Sequence, residues 1–212
     1  RTVTGVQTCA LPICVKIAVL SDMSSLYADL GGPGSVTAAN MAAAEFMKAH
    51  PNVKVEVVSG DNQNKPDVST NLANQWFDVD KVDIIASSYA TNMVAPAMPI
   101  VMQQERTFFG LLGLAVNTEF HYKRYFSMIP TGGPRPKESF AEGFFEVAAA
   151  QTPKPQTVAM CGADAEFPRN AMDGARAVCK RLGLKIVYDK TYPPTTSDYT
   201  PVVRAIAATN PD

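Results

Sequence analysis

Three segments of this chain place short polar side chains and glycines directly after apolar runs. They cover residues 21–31, 87–92 and 110–117. Backbone N–H groups and hydroxyls at the start of a following helix can hold a carboxylate by hydrogen bonds and by the helix dipole, without an arginine. The segments therefore indicate non-covalent binding of a small anionic or zwitterionic molecule. The same composition also serves turns and helix caps, an interpretation that composition alone favours by about three to one.

The residue types that perform catalysis are not arranged for it. His50 and His121 are the only histidines, and neither has a neighbour at metal-ligand spacing. No Gly-x-Ser-x-Gly motif or Cys/His pair indicates a nucleophile, and the acids Asp164 and Glu166 are a common loop composition. The glycines of 31–34 lie too far beyond the preceding apolar run for a dinucleotide-binding fingerprint. We expect no enzymatic activity, no cofactor and no metal.

The composition is that of a protein with a packed core. Of the 212 residues, 46% are hydrophobic, and 19 Lys+Arg against 20 Asp+Glu give a net charge of -1. This balance lacks the basic excess of nucleic-acid-binding proteins, so no nucleic acid partner is expected. No apolar run approaches the ~20 residues needed to cross a bilayer. Cys161 and Cys179 are expected to be small core residues, with a disulfide between them the less favoured alternative.

Short apolar runs alternate with amphipathic helical patterns from residue 15 to the end of the chain. Strands are predicted at about 15–20, 53–59, 82–86, 107–112, 157–161 and 185–189. Between them lie helical patterns at 36–47, 68–76 with Trp76 in the core, 92–104, 140–147 with Phe140, Phe144 and Val147, 168–182 and 199–208. This order predicts an α/β fold of parallel βα units, whose binding loops meet at the carboxyl ends of the strands.

Two segments carry a resemblance to a known family. They read Val15-Lys-Ile-Ala-Val-Leu-Ser-Asp-Met-Ser-Ser-Leu-Tyr-Ala-Asp-Leu-Gly-Gly-Pro-Gly34 and Val53-Lys-Val-Glu-Val-Val-Ser-Gly-Asp-Asn-Gln-Asn-Lys-Pro-Asp67. Together they resemble the type I periplasmic substrate-binding proteins of ABC transporters, in the branched-chain amino acid and aromatic-acid branch. The resemblance implies two lobes, each a parallel sheet flanked by helices, with a ligand between them. The breaker-rich segment 125–136 then places the first lobe at 15–128, and the hinge with a partial second lobe at 129–212.

The same resemblance assigns a binding site. Relatives hold the polar head of the ligand with the loops that match 89–91 and 115–117, and cover it with a large side chain at the position of Leu30. From the second lobe, the motif matching 164–167 closes an aromatic residue, here Phe167, on the bound molecule. The predicted ligand-binding residues are Tyr27, Leu30, Ser88, Tyr89, Ala90, Thr91, Ala115, Val116, Asn117 and Phe167. Val116 stands where relatives often supply a Thr hydroxyl, which shifts the expected ligand from a plain aliphatic amino acid toward a different or more aromatic one.

Three features depart from the family pattern. Residues 1–14 include a run that resembles the translation of a common sequencing adapter, and we predict that they are a non-native tail. The stretch up to about residue 78 resembles one subgroup and the stretch from residue 80 another, so a hybrid of two genes is an open alternative. Members of the family are considerably longer, and we expect an N-terminal fragment with an incomplete second lobe.

The function implied is that of a periplasmic or extracytoplasmic solute receptor of an ABC importer. It would capture a small amino acid or a related aliphatic or aromatic carboxylate by closing two lobes, with the membrane subunits of the transporter as partners. One alternative is the ligand-sensing domain of a regulator or receptor with the same fold, which would also carry a helix-turn-helix or a membrane segment. The other is a fragment of a flavodoxin-like or dehydrogenase enzyme, which would retain a cofactor.

Overall fold

The chain folds into two parallel sheets with helices packed on them. The computed structural model describes residues 13–87, 89–129, 131 and 133–212. Its strands are β1 (Ile13–Ser21), β2 (Val53–Asp61), β3 (Ile84–Ser87), β4 (Thr107–Gly110), β5 (Tyr125–Ser127), β6 (Thr157–Ala163) and β7 (Lys185–Tyr192). Its α-helices are α1 (Gly32–Ala49), α2 (Pro66–Gln75), α3 (Thr91–Gln103), α4 (Val116–Phe120), α5 (Pro136–Ala149), α6 (Glu166–Leu182) and α7 (Thr200–Ala207), and a π-helical segment Trp76–Asp80 continues α2.

The first sheet contains β1 to β5 and, with its helices, forms the first lobe. Its strand order is β2-β1-β3-β4-β5, and every neighbouring pair is parallel. The edge position of β2 agrees with its alternation of apolar and charged residues. The chain moves from β1 to one side and then returns to the other side at β3, so the strand order reverses between them. In open parallel sheets a crevice for ligands lies at such a reversal, at the carboxyl ends of the strands.

The core of the first lobe lies between this sheet and the helices α2 and α3. Phe108, Ile85 and Met98 are fully buried, and Trp76 is 3% exposed, which confirms its predicted place in the core. The ring of Phe108 meets that of Tyr125 edge to face, with centroids 5.8 Å apart. This packing fixes the positions at which β3 and β4 end, and therefore fixes the loops that follow them.

The second sheet contains only β6 and β7 and, with α5 and α6, forms the second lobe. Its buried cluster is small, consisting of Phe145, Met160, Met172, Val178 and Cys179. A Cβ atom added at Gly174 of α6 would collide with the backbone carbonyl of Lys137 in α5. The two helices therefore approach backbone to backbone at a position that only glycine permits.

One prediction about the second lobe was wrong. Cys161 is exposed, because successive strand residues point to opposite faces of a sheet and Met160 takes the face covered by helices. On α5 the side chains of Phe140 and Phe144 are 45% and 72% exposed, whereas Phe145 is buried. Gly183 ends α6 in the left-handed conformation, which favours glycine at a helix C-terminus.

The predicted tail lies mostly outside the described residues. Its last two residues, Ile13 and Cys14, belong to β1, where they are in register with Val53 and Lys54. Cys14, Cys161 and Cys179 are free thiols. Among the described residues, no helix combines the length and the apolar character required to cross a membrane.

Candidate functional site

The three polar segments identified in the sequence meet at the carboxyl edge of the first sheet. The ring of Tyr27, after β1, stacks on that of Tyr89, after β3, with centroids 5.4 Å apart and planes 21° apart. The N–H of Leu114, after β4, donates to Oγ1 of Thr91 at 3.1 Å. The predicted loops therefore form one continuous surface at the crevice. We call this surface the first-lobe mouth.

A buried aspartate holds the loop that carries Tyr27. Asp22 follows β1 directly and is fully buried. Its carboxylate accepts hydrogen bonds from the backbone N–H of Ser25 and of Tyr27, both at 2.9 Å, and from the Ser25 hydroxyl at 2.7 Å. An aspartate that binds backbone amides two to five residues further on shapes a turn. The sequence analysis did not single out Asp22, although an Asp at a strand end before two serines is the pattern that could have revealed it.

A second aspartate ties the same loop to the neighbouring strand. Asp61, the last residue of β2, accepts a hydrogen bond from the Met23 N–H at 2.9 Å and from the Ser24 hydroxyl at 2.6 Å. Burial acts to raise the pKa of Asp61, but these hydrogen bonds and one from the Gln63 N–H outweigh it and lower the pKa below its ordinary value. The loop that positions Tyr27 is thus fixed from two sides.

The mouth contains polar atoms that the described residues do not satisfy. Tyr27 is 6% exposed, and its hydroxyl is buried without a hydrogen-bond partner among them. The same holds for the hydroxyl of Ser87, at the end of β3. Burial raises the pKa of Tyr27, and the negative charges of Asp22 and Glu166 add to the effect. Because buried polar groups in proteins are normally paired, these hydroxyls mark a place for water or for a ligand.

The structure gives different surroundings to the other predicted residues of the first lobe. Ala90 is fully buried, and Thr91 already accepts the hydrogen bond from Leu114. Val116 is 4% exposed and belongs to the core of the first lobe, so its side chain bears on packing. Asn117 uses its amide to accept from the N–H of Tyr122 at 2.7 Å and to donate to the carbonyl of Tyr122 at 3.2 Å, which closes the turn after α4.

Ala115 is half-buried and Leu30 is exposed. Ala115 adopts a left-handed backbone with φ +62° just before α4, and it lines a cavity of ≈ 440 Å³ together with Asn117. Leu30 is 69% exposed, close in sequence to the buried Tyr27. Ser88 lies outside the described residues. The mouth therefore unites Tyr27, Tyr89, Thr91 and the Ala115 loop.

The second lobe faces this mouth with the N-terminal turn of α6. Glu166 is exposed overall, but the protein around its carboxyl group raises its pKa, and the charge of Glu119 on α4 adds to this. The helix α6 of the second lobe contacts α3 of the first, so the two lobes approach each other here. Phe167 is half-buried, with its ring 5.3 Å from that of Phe140 and at 83° to it.

Two other cavities bear on the choice of site. One of ≈ 300 Å³ lies between the lobes, with Ala115 on one side and Asp173 and Gly174 on the other. Another, of ≈ 330 Å³, lies within the second lobe beside β6 and is lined mainly by apolar side chains such as Phe144 and Ile206. The second cavity includes none of the predicted residues and offers few partners to a charged ligand. Within the described ranges, no three His, Cys, Asp or Glu side chains are grouped so that they could hold a metal ion.

The sequence of the chain matches a known protein family. The sequence model of the periplasmic binding protein family matches residues 14–212. No curated protein matches the chain. Among solved structures, a periplasmic binding protein from Burkholderia mallei shares 22% identity with a TM-score of 0.75 and covers 93% of this chain, which spans 52% of that protein.

Two further solved structures contain ligands. The branched-chain amino acid transporter substrate-binding protein of Streptococcus pneumoniae, in complex with isoleucine, shares 15% identity with a TM-score of 0.76, over 92% of this chain and 54% of that one. A solute-binding protein of an ABC transporter from Rhodopseudomonas palustris BisB5, in complex with 3,4-dihydroxybenzoic acid, shares 21% identity with a TM-score of 0.71, over 94% and 53%. These likenesses show the fold. The chain has the α/β architecture of type I periplasmic binding proteins and belongs to the periplasmic binding protein family.

Proposed function

We propose that this chain is the ligand-binding part of a solute receptor of an ABC importer. The receptor captures a small carboxylate between its two lobes. The observation that carries the proposal is the first-lobe mouth, where Tyr27 stacks on Tyr89 while the buried Tyr27 hydroxyl has no hydrogen-bond partner among the described residues. Since buried polar groups are normally paired, this hydroxyl is available to a ligand or to water. In this proposal residues 15–128 form the first lobe, and residues 129–212 form the hinge and the second lobe.

The carboxylate binds at the start of α3. The first N–H groups of a helix have no acceptor within the helix and carry a partial positive charge, so Thr91 and its neighbours offer donors to an anion. The stacked rings of Tyr27 and Tyr89 contact the apolar part of the ligand, and the exposed side chain of Leu30 covers it. Phe167 and the start of α6 then close from the second lobe. No covalent bond forms or breaks.

Closure is the signal of such a receptor. A ligand that contacts both lobes stabilises the closed state over the open one, in proportion to the difference in its affinity for the two. The membrane subunits of the importer would bind the closed form on the periplasmic side of the membrane. The chain spans 52% of the length of the Burkholderia mallei protein, so these statements concern a receptor of which the chain is a part.

The class of ligand follows from what the structural neighbours share. One is a complex with isoleucine, and two others are complexes with 4-hydroxybenzoate and 3,4-dihydroxybenzoic acid. All three molecules carry a carboxyl group on a compact apolar body. A mouth with helix amides for the carboxylate and aromatic rings for the apolar body fits this shared chemistry.

Titration calorimetry tests the proposal. The folded 212-residue chain is titrated with L-leucine, L-phenylalanine and 4-hydroxybenzoate, and we expect at least one to release heat with a saturable isotherm. Thr91→Val removes the acceptor of the Leu114 N–H between two loops of the mouth, so affinity should fall about tenfold. Thr70→Val makes the same change on α2, where the Thr70 hydroxyl donates to the Pro66 carbonyl, and should leave affinity unchanged. Absence of binding by all three probes overturns the proposal.

A further inference from the structure

We propose that Asn64 is a positioning residue of the first-lobe mouth, where it holds the start of α3 against the turn after β2. Residues 61–64 end β2 and lead into α2, and we call them the β2 turn. The inference rests on the proposed function and adds a residue that shapes the site through Asn92 instead of touching the ligand. It stands on side-chain hydrogen bonds that join the β2 turn to the loops of the mouth.

The β2 turn holds Asn64 in one position. The N–H of Lys65 donates to the carbonyl of Asn62 at 2.9 Å, which closes the turn. Asn62 is fully buried, and its Oδ1 accepts from the N–H of Asn64 at 3.0 Å. Gln63 and Asn64 both adopt left-handed backbones, with φ +53° and +54°. Asparagine tolerates this conformation better than most residues, so the turn suits the residue that it presents to α3.

Asn64 contacts the first turn of α3. Its Oδ1 accepts a hydrogen bond from Nδ2 of Asn92 at 2.9 Å, and Asn92 directly follows Thr91 at the start of the helix. A second contact joins α2 to the same turn, since the hydroxyl of Ser69 lies 3.4 Å from Sδ of Met93 and both residues are fully buried. A hydrogen bond that is partly shielded from water is stronger than an exposed one, so this contact fixes the start of α3.

The amide of Asn92 depends on Asn64. Its other end, Oδ1, is buried and has no hydrogen-bond partner among the described residues, and the same is true of Nδ2 of Asn62. Loss of the Asn64 side chain would therefore leave both ends of the Asn92 amide unpaired within the described part of the chain. Because buried polar groups are unfavourable without partners, we expect the first turn of α3 to move until Asn92 reaches water.

The β2 turn also holds the loop on the other side of the mouth. The Asp61 carboxylate binds the loop after β1, which carries Tyr27, by two hydrogen bonds. Asn64 binds the helix that begins two residues after Tyr89. One short turn therefore joins the two segments whose rings stack. In the proposed site this sets the position of the α3 N–H donors relative to the tyrosine rings, on which the affinity for a carboxylate depends.

Three variants test the inference by titration calorimetry with whichever of L-leucine, L-phenylalanine and 4-hydroxybenzoate binds the parent chain. Asn64→Gly keeps the left-handed backbone but removes the acceptor, and affinity should fall about tenfold. Asn64→Asp keeps the acceptor and should stay within about threefold of the parent. Gln63→Gly makes the same change at the neighbouring left-handed residue, whose exposed side chain accepts from Lys65 Nζ at 3.0 Å, and should leave affinity unchanged.

Amide hydrogen exchange of the ligand-free chain supplies a second readout. In Asn64→Gly, amides of 91–95 and 22–28 should exchange at least about threefold faster, whereas those of α7 in the second lobe should not change. Neither Asn64→Asp nor Gln63→Gly should produce this local effect.

The outcomes separate the inference from the proposed function. If the parent binds a probe and Asn64→Gly binds it equally well, or if Asn64→Asp binds as weakly as Asn64→Gly, the inference is wrong while the proposed function stands. Exchange that is unchanged at 91–95, or that is faster in α7 as well, also overturns the inference. If the parent binds none of the probes, the proposed function fails, and with it the role of Asn64 in ligand binding.

Discussion

The two lobes differ in the size of the buried core that stabilises them. The first lobe buries large side chains such as Phe108, Met98 and Trp76 beneath a five-stranded sheet. The second lobe has a two-stranded sheet and a buried cluster in which only Val178 and Cys179 are completely inaccessible. Since burial of apolar surface is the main favourable term in folding, the first lobe holds the greater share of the chain's stability.

The second lobe is tied together mainly by ion pairs on its surface. Arg176 contacts Asp189 with two hydrogen bonds of 2.7 Å, and Arg181 contacts Glu142 at 2.5 Å. Exposed pairs of this kind contribute little, since water and salt screen them. The comparison teaches that the lobe expected to move on ligand capture is also the one with the weaker core. Elements that move in binding are generally drawn from the less stable parts of a protein.

Replacement of one buried methionine in each lobe by alanine is the strongest test of this difference in core stability. Met98 is fully buried in the first lobe, and Met172 is 6% exposed in the second. Methionine-to-alanine changes in cores cost about 2–5 kcal/mol, and we expect Met98→Ala near the upper end and Met172→Ala near the lower end. Urea unfolding followed by Trp76 fluorescence reports on the first lobe, and circular dichroism reports on both.

The outcome depends on which signal shifts. Met98→Ala should lower the urea midpoint of the Trp76 transition, whereas Met172→Ala should shift mainly the dichroism transition. If Met172→Ala moves the Trp76 transition as far as Met98→Ala does, the lobes unfold as one unit and the proposed difference between them is absent.

Two glycines of the second lobe give the next largest effect. Gly174→Ala should destabilise the chain by about 1–3 kcal/mol, because the new methyl group collides with the Lys137 carbonyl where α5 meets α6. Gly143→Ala, on the open side of α5, meets no atom within 4 Å and should stabilise by about 0.5–1 kcal/mol through helix propensity. Thermal unfolding of both variants measures the difference, and effects of the same sign would contradict the close approach of the helices.

The smallest expected effect comes from the ion pair of Asp189. Hydrogen bonds from Arg176 lower the pKa of the Asp189 carboxyl below its ordinary value, although partial burial opposes this. The carboxylate therefore stabilises the folded chain above the ordinary Asp pKa, and that contribution is lost as the pH falls through the lowered value. Asp189→Asn should cost up to about 1 kcal/mol at pH 7, given the exposure of the pair.

The pH dependence of this variant is the diagnostic measurement. In urea unfolding between pH 7 and pH 2.5, the difference between Asp189→Asn and the parent chain should shrink once the pH drops below about 3.9. Arg176→Met should show the same pattern, since it removes the other partner. A difference that stays constant across this range would mean that the pair contributes nothing through its charge.

Long elements were predictable from the sequence because their periodicity is repeated. The helix predicted at 168–182 is α6, and the strand predicted at 53–59 is β2, each with an error of two residues at one end. The short elements α4 and β5 were missed, because five and three residues are too few to display a period. Both lie just before the predicted hinge. The strand β5 also overlaps segment 125–136, where Gly and Pro residues interrupt any periodic pattern of apolar residues.

The site was predictable in outline but not in its contacts. Polar loops after β1, β3 and β4 were expected to meet, and the stack of Tyr27 on Tyr89 places the first two side by side. The sequence could not show that the Asn117 side chain is hydrogen-bonded to the backbone of Tyr122, or that the Val116 side chain is buried in the core. Such choices depend on which neighbour each side chain meets after the chain has folded.

The sequence by itself determined the order of βα units and the polar character of the loops, because both follow from local periodicity and turn chemistry. Only the tertiary structure decided that Tyr27 is buried, that its ring stacks on that of Tyr89, and that its hydroxyl has no hydrogen-bond partner among the described residues. These residues are far apart in the chain. Their stacking exists only because neighbouring parallel strands bring the loops after β1 and β3 to the same edge of the sheet.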